Sequence, residues 1–138
     1  RMFELFHEYD LWLAQPAYDP GSKTGWEMTT VDARYRLRYA NFVENGVVIF
    51  SHDALNLCLP TMKHIESGFG SDFLFPVLVG FPLEKIAIID EVQCHHPPGE
   101  STLDNLIPRS LHHKDAEDLM QKYDFRYFTP RVMGGSRR

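Results

Sequence analysis

The stretch KIAIIDEVQCHH, residues 85–96, constrains the fold more than any other part of the sequence. Its first half is an apolar run rich in isoleucine, which is typical of a central strand buried on both faces of a sheet. Its polar residues gather at the carboxyl end, where open α/β sheets bind their ligands. We therefore predict an α/β fold with a mixed central sheet and flanking helices.

Length and composition indicate a single domain over residues 1–138. A chain of 138 residues that is 43% apolar and 13% aromatic can bury a sizeable core. We predict that core within residues 10–100, with a helix and a short strand as an extension in residues 101–138. We also expect a partial domain, because the chain starts at Arg1 and its first residues already resemble the middle of a fold.

Charge and hydropathy argue against two kinds of partner. The formal net charge is −5, whereas a nucleic-acid-binding surface needs clustered Lys and Arg. Arg34, Arg36 and Arg38 alternate with tyrosine and leucine side chains, and we interpret the arginines as the solvated cationic face of a strand. No apolar run reaches the roughly 20 residues of a membrane-spanning helix, and no signal segment opens the chain. We expect a cytoplasmic protein with no nucleic-acid partner and no membrane span.

The remaining patterns predict short elements around the central strand. These are a helix near the amino terminus, strands over 10–14 and 27–39, two extended pieces around an Asn45-Gly46 turn, helices over 54–67 and 115–123, and a strand over 124–132. Ser51 or Asp53 can cap the helix over 54–67, Pro16 is expected to end the first strand, and Pro60 to kink or break its helix. Residues 73–81 fit either a buried helix or a strand. Residues 134–138 are predicted to be a loose end.

Cysteine and histidine spacing matches no structural metal motif. Cys58 and Cys94 lie in apolar surroundings without CxxC spacing, which favours buried thiols, with one bridge between them as the alternative. A zinc site is disfavoured because thiolate pairs are missing. Such a site would combine His95 and His96 either with His112 and His113 or with Cys94.

Two polar groups could carry chemistry on spacing alone. Asp72 follows GFGS, and glycines before an acid let a bulky ligand approach a carboxylate that can take a proton from a hydroxyl. The alternative is that Asp72 caps the next helix. His95 and His96 follow the central strand, where one of them could bind a divalent metal or a phosphate, or both could be a solvated pair. With Asp90 they could also form a metal-dependent hydrolase site.

Four segments, taken in order, resemble a plant and bacterial family of unknown function. They are LAQPAYDP, FVENGVVIFSHDAL, GFGSDFLFPVLVG and KIAIIDEVQCHHPPG. The plant members of that family are called lysine-ketoglutarate reductase trans-splicing-related proteins, and the family is similar to nucleotide-sugar glycosyltransferases of the GT-A type. The resemblance implies that this chain is the C-terminal, acceptor-side half of such a fold.

The resemblance also implies roles for individual residues. Asp72 falls at the position of the catalytic base, His96 at the metal or diphosphate site, and Asp90 at a structural position. The positions that would contact substrate are Gln15, Asp19, Glu44, His52 and Gly70. The implied partners are a nucleotide sugar and a carbohydrate or other hydroxyl acceptor, with a Mn or Mg ion when the donor half is present.

The chain departs from that family in ways that keep a second interpretation open. No Asp-x-Asp metal motif occurs in the sequence, so we expect the chain to be inactive by itself, and whether it is an enzyme stays open. Phe69 replaces a tryptophan of the family. The alternative is a non-catalytic carbohydrate-binding or protein-interaction domain, in which Tyr18, Trp26 and Phe69 could stack on sugar rings.

Overall fold

The computed structural model describes residues 1–98 and 107–138, in which five strands form one mixed sheet. The strands are β1 (Leu13–Tyr18), β2 (Tyr35–Ala40), β3 (Ile49–Phe50), β4 (Ile86–Cys94) and β5 (Val132–Arg137). The helices are α1 (Met2–Glu8), α2 (His52–Met62), α3 (Ser71–Leu78) and α4 (Arg109–Tyr123), with a 3-10 turn at Glu27–Thr29. Of the helices in these ranges, none combines the length and the apolar character needed to cross a bilayer.

β4 lies at the centre of the sheet, as its sequence predicts. The strand order is β3-β1-β4-β2-β5. β4 runs parallel to β1 and antiparallel to β2, and the outer strands β3 and β5 are antiparallel to their neighbours. The α/β fold with a mixed central sheet and flanking helices is therefore confirmed.

The side chains of β4 contribute to the core on both faces of the sheet. Ala87 and Ile89 pack with Phe6 of α1 on one face. Ile86 packs with Phe75 of α3 on the other, because successive side chains of a strand point to opposite faces. Complete burial of one such isoleucine contributes about 1.5–3 kcal/mol, which explains why this segment occupies the centre.

β1 starts and ends later than predicted, and residues 10–12 are not part of it. We predicted a strand over residues 10–14 that Pro16 would end, whereas β1 runs through Pro16 to Tyr18. Its pairing with β4 shifts register between Pro16 and Ala17. A proline has no N–H to donate, and an irregularity of this kind is a position at which the sheet tolerates that loss.

The predicted strand over residues 27–39 is too long. Its first part forms the 3-10 turn, and β2 begins at Tyr35. Of the two extended pieces predicted around the Asn45-Gly46 turn, only the second forms a strand. The turn at Asn45-Gly46 forms as predicted, but only Ile49–Phe50, on its far side, is in a strand.

A buried ion pair joins β2 to β4. Arg38 donates from Nε to Asp90 Oδ2 at 2.9 Å and from Nη2 to Asp90 Oδ1 at 2.7 Å. The same carboxylate accepts from the N–H of Asp32 at 2.8 Å, and the guanidinium also donates to the carbonyl oxygens of Met28 and Thr30. The solvated cationic face predicted for β2 is therefore wrong for Arg38, and Asp90 is part of a buried ion pair that joins two strands.

α2 confirms one of the two predicted caps but ends early. The hydroxyl of Ser51 accepts a hydrogen bond from the N–H of Ala54 at 3.2 Å. The helix ends at Met62 rather than at residue 67, shortly after Pro60. A proline removes one helical N–H and crowds the preceding turn, so it is tolerated only near the end of this helix.

The apolar run over residues 73–81, for which helix and strand stayed open, supplies most of α3 (Ser71–Leu78). Its first part is buried: Leu74 is fully buried, and Phe73 and Phe75 are 8% and 3% exposed. Val77 and Leu78 are only partly buried, and Phe81, after the helix, is 42% exposed. An apolar helix of this kind forms because its neighbours cover most of its surface.

The C-terminal residues differ most from the prediction. Residues 124–131 are not in a strand, whereas residues 134–137, predicted to be part of a loose end, belong to β5. A Cβ on Gly135 would lie 2.7 Å from the carbonyl oxygen of Leu37. The missing side chain therefore allows β5 to approach β2 closely enough to pair.

Both cysteines are free thiols, so the bridge left open above does not form. Cys58 is buried, as predicted, and burial raises its pKa to about 11. A thiol with that pKa stays protonated at neutral pH and is a poor nucleophile. Cys94 is only partly buried at the end of β4.

Candidate functional site

The parallel strands β1 and β4 bring their carboxyl ends to the same edge of the sheet. The N–H of Asp19, just after β1, donates to the carbonyl oxygen of Cys94 at 3.0 Å. We call residues 19–23 and 94–96 the carboxyl-edge cluster. This is the edge at which the sequence predicts ligand binding.

Asp19 orients His95 within the carboxyl-edge cluster. Its carboxylate oxygens lie 2.9 and 3.1 Å from Nδ1 of His95. Asp19 also accepts from the hydroxyl of Ser22 at 2.9 Å and from the N–H of Gly21 at 3.0 Å. These hydrogen bonds, that of Ser22 first, hold the pKa of Asp19 below its ordinary value. The carboxylate is therefore ionised at neutral pH and favours a proton on Nδ1 of His95.

The same loop orients His96. Nδ1 of His96 lies 2.6 Å from the carbonyl oxygen of Lys23, and its main-chain N–H donates to the hydroxyl of Ser22 at 2.9 Å. Because a carbonyl oxygen only accepts, Nδ1 carries the proton, and Nε2 is the nitrogen that could bind a metal. β4 has ended at Cys94, so the rings of His95 and His96 can both contact one loop instead of pointing to opposite faces.

The described residues do not form a complete metal site. In residues 1–98 and 107–138, no group of three or more His, Cys, Asp or Glu side chains could hold a metal ion. Asp90 is not an additional ligand, because both of its carboxylate oxygens accept from Arg38. The hydrolase site considered above therefore lacks one of its three members.

Glu44 anchors the loop between the carboxyl-edge cluster and β2. Its carboxylate accepts from the hydroxyls of Thr24 and Thr29 at 3.0 and 2.9 Å and from the N–H of Gly25 at 2.9 Å. The main-chain N–H of Glu44 donates to the side-chain oxygen of Gln15, which is buried. Two of the residues predicted to contact substrate thus bind other parts of the chain.

Asp72 lies in the first turn of α3, and Gly70 has the cap position, so the alternative that Asp72 caps the helix is wrong. One carboxylate oxygen of Asp72 accepts from the N–H of Phe73 at 3.1 Å. Burial raises the pKa of Asp72 to about 6, the negative charge of Glu44 adds to the rise, and the hydrogen bond from Phe73 opposes it. A carboxyl group that titrates near neutral pH is suited to accepting a proton from a substrate.

Gly70 permits close packing between α3 and α4. Its φ is 88°, in the left-handed region. A Cβ on Gly70 would lie 3.2 Å from both the Cα and the Cβ of Ala116. The position predicted to contact substrate therefore has a clear structural reason to be glycine.

His52 lies away from the other predicted site residues. β3 is antiparallel to β1, with Phe50 opposite Leu13, so the chain enters α2 at the amino end of β1. The side chain of His52 is 87% exposed, and its hydrogen-bond partners are Asp53 and Asn56. The structure therefore separates His52 from the carboxyl-edge cluster.

The charge of Glu44 connects the remaining parts of the candidate site. Burial is the main reason why the pKa values of Tyr18, Cys94 and Asp72 are raised, and that of Tyr18 reaches about 12. The negative charge of Glu44 adds to the rise in all three. Electrostatic effects of this kind weaken with distance. Hydrogen bonds show the same proximity: the N–H of Glu44 donates to Gln15 of β1, and the side chain of the next residue, Asn45, donates to Ser71, the neighbour of Asp72, at 2.8 Å.

Sequence reasoning missed Ser22 and Tyr127. Ser22 binds Asp19 and the main chain of His96, and Tyr127 lies near Asp72, whose charge helps burial to raise the tyrosine's pKa. The Asp-Pro-Gly-Ser turn could have indicated Ser22, because serine in a turn binds nearby polar groups. Nothing in the sequence connects Tyr127 with Asp72, since only the fold brings them together.

Comparison with known proteins leaves the chain without an assigned family. No family model matches it, and no curated protein or solved structure is similar enough to count as a match. Fold and site together define a class only: a mixed-sheet α/β chain with histidines and acids where two parallel strands end.

We expect Asp72→Asn to stabilise the chain at neutral pH. The pKa of Asp72 rises from 3.8 to about 6 on folding, so the folded state keeps a proton that the unfolded state releases. The resulting loss of stability is absent below the unfolded pKa, develops as pH rises from about 4 to about 6, and is complete above that. Urea denaturation should show a gain of about 1–3 kcal/mol at pH 7.5 and a much smaller gain at about pH 4.

The control is Glu117→Gln on the exposed face of α4, whose effect on the free energy of unfolding we expect to differ little between the two pH values. Equal gains for Asp72→Asn at both pH values would contradict the raised pKa of Asp72.

Proposed function

We propose that this chain forms the acceptor side of a nucleotide-sugar-dependent glycosyltransferase, with Asp72 as the general base. The observation that carries the proposal is the pKa of about 6 for the partly buried Asp72 near Glu44. Such a group is ionised at neutral pH and is basic enough to accept a proton as a hydroxyl reacts. The four segments that resemble the glycosyltransferase-like family supply the reaction class.

In the proposed reaction, Asp72 takes the proton of an acceptor hydroxyl, and the oxygen attacks the anomeric carbon of the donor sugar. The bond between that carbon and the diphosphate oxygen breaks, and the diphosphate leaves with the electron pair. His96, held by Lys23, would face the diphosphate side. A Mn or Mg ion, with Nε2 of His96 as one ligand, would stabilise the charge of the departing diphosphate.

A hollow of about 320 Å³ beside the start of α3, lined by Ser71 but not by Asp72, is the proposed position for the part of the acceptor away from its reacting hydroxyl. Its lining includes Asn45, Gly68, Ser71, Phe50, Met62 and Phe75. Ser71 is adjacent to Asp72 in the chain. Polar groups beside an apolar surface suit a sugar, which has hydroxyls around an apolar ring face.

Transfer kinetics of the Asp72→Asn variant test the role of Asp72 as the base. The assay uses the protein as it is made in its organism, radioactively labelled nucleotide sugars and a panel of hydroxyl acceptors. We expect kcat/KM to fall by roughly 10²–10⁴-fold, with Glu117→Gln unchanged. The kcat/KM of the natural protein should rise with pH through about 6, because only the ionised base accepts the proton. Full transfer activity in Asp72→Asn would exclude Asp72 as the base.

A second candidate is a non-catalytic carbohydrate-binding domain, which Phe69 favours. Phe69 is 49% exposed, and its ring stacks on His112 with centroids 5.0 Å apart and planes 7° apart. An exposed flat aromatic ring can stack on a sugar. Trp26 and Tyr18 are less suited, because Trp26 packs edge-on against Phe42 and Tyr18 is only 5% exposed.

Binding measurements separate the two candidates. Calorimetric titration with UDP and Mn²⁺ tests the donor side, and a glycan array tests sugar binding. Sugar binding that Phe69→Ala abolishes and Asp72→Asn leaves intact, without transfer from any nucleotide sugar, would favour the binding domain. Transfer activity that depends on Asp72 would favour the enzyme.

A further inference from the structure

We propose that the outer edge of β5 and the pocket beside it bind an extended acidic segment of a partner protein as an additional strand. The first observation is the open edge. β5 is the outermost strand and pairs with β2 on one side, and across residues 1–98 and 107–138 nothing pairs with its other side. Five of its six residues are exposed. An unpaired edge presents N–H and C=O groups to which an extended chain can add.

The second observation is an apolar pocket of about 410 Å³ beside the start of β5. Met133 of β5, Tyr39 of β2, and Phe81 and Leu83 of the loop before β4 contribute to its lining. Leu83 is 79% exposed and Met133 53%. Large apolar side chains that surround a pocket and remain in water are typical of a surface that another molecule covers. The pocket extends from Met133 past β2 to Ile86 of β4, and Glu84 also lines it. It could therefore take an apolar, but not an acidic, side chain from the end of the added strand that lies beside Met133.

The third observation is the charge around the strand, which selects the kind of peptide. Arg131 precedes β5, Arg137 ends it and Arg138 follows, and all three are exposed. Within the described residues none of the three has an ion-pair partner, although Arg137 stacks on Tyr35 and Arg138 donates to the carbonyl oxygen of Tyr35 at 3.2 Å. Glutamate or aspartate side chains on an added strand would meet these guanidinium groups.

The same arginines argue against a second copy of the chain as the occupant. In an antiparallel pair of two β5 edges, Arg131 of one copy would lie near Arg137 and Arg138 of the other, and like charges across strands are destabilising. A nucleic acid would suit the arginines but has no amide backbone for the edge and no apolar side chain for the pocket. An acidic peptide satisfies all three observations.

The experiment is selection of a display library of random ten-residue peptides against the chain, followed by fluorescence anisotropy on the enriched peptides. We expect enriched peptides to alternate acidic and apolar residues. The double variant Arg131→Glu and Arg137→Glu should weaken their binding at least about tenfold, and so should Leu83→Asp. Arg109→Glu, an exposed change at the start of α4, is the matched control and should alter binding less than about twofold.

Each other outcome overturns the proposal. No enrichment, or enriched peptides without acidic residues, would remove the charge argument. Unchanged binding after N-methylation of alternate peptide bonds would show that the strand edge is not used. Dimers of the chain in light scattering would assign the edge to a second copy, and tighter binding of a single-stranded oligonucleotide than of any peptide would assign it to nucleic acid. None of these results depends on Asp72, so they are independent of the glycosyltransferase proposal.

Discussion

Removal of Arg38 is expected to lower the free energy of unfolding by about 3–5 kcal/mol, because it leaves the carboxylate of Asp90 buried without a counter-charge. The side chains of Arg38 and Asp90 are 8% and 0% exposed. A loss of this size is a large fraction of the roughly 5–15 kcal/mol by which domains are stable. Urea denaturation of Arg38→Ala against the natural chain measures it.

Two further variants identify the cause of that loss. Arg34→Ala removes an arginine that is 75% exposed, although its partner Asp32 is only 21% exposed, and we expect a change of about 1 kcal/mol or less. The double variant Arg38→Met and Asp90→Leu removes both buried charges and should recover part of the stability. A loss below about 1 kcal/mol for Arg38→Ala would show that water reaches Asp90 readily.

Gly70→Ala is expected to destabilise the chain by about 2–4 kcal/mol, and Gly80→Ala by only about 1 kcal/mol. Both glycines are in the left-handed region, with φ of 88° and 74°, so both changes strain the backbone. A Cβ on Gly70 would also crowd Ala116 at 3.2 Å, whereas a Cβ on Gly80 meets nothing within 4 Å. Thermal and urea denaturation of the two variants isolates the contact between α3 and α4.

The outcome also tests the substrate role predicted for Gly70. A packing role predicts loss of stability, with partial recovery when Ala116→Gly is added to Gly70→Ala. Equal, small losses for Gly70→Ala and Gly80→Ala, together with weakened ligand binding for Gly70→Ala alone, would instead favour direct contact with substrate.

The centre of the fold could be predicted from the sequence, and its edges could not. The apolar run of β4 and the serine cap of α2 are local signals. β5 is different, because Gly134, Gly135 and Ser136 have little tendency to form strands, and the strand depends on the edge of β2, which lies almost 100 residues earlier. The continuation of β1 through Pro16 could not be predicted, because the register shift that accommodates the proline depends on the partner strand β4.

The candidate site divides in the same way. Asp19, His95 and His96 could be expected near one another once two parallel strands were assumed, because parallel strands end at one edge. His52 could not be assigned, because its position depends on the antiparallel direction of a two-residue strand. Arg38 was misplaced because alternation alone cannot show which of the arginines in β2 faces a buried acid.

The buried Arg38 also affects the candidate base. Its guanidinium holds the carbonyl oxygens of Met28 and Thr30, which flank Thr29, and the hydroxyl of Thr29 binds Glu44. The charge of Glu44 in turn contributes to the raised pKa of Asp72. A change at Arg38, inside the sheet, is therefore expected to act on the pKa of Asp72 through the loop that holds Glu44, although burial makes the larger contribution to that pKa.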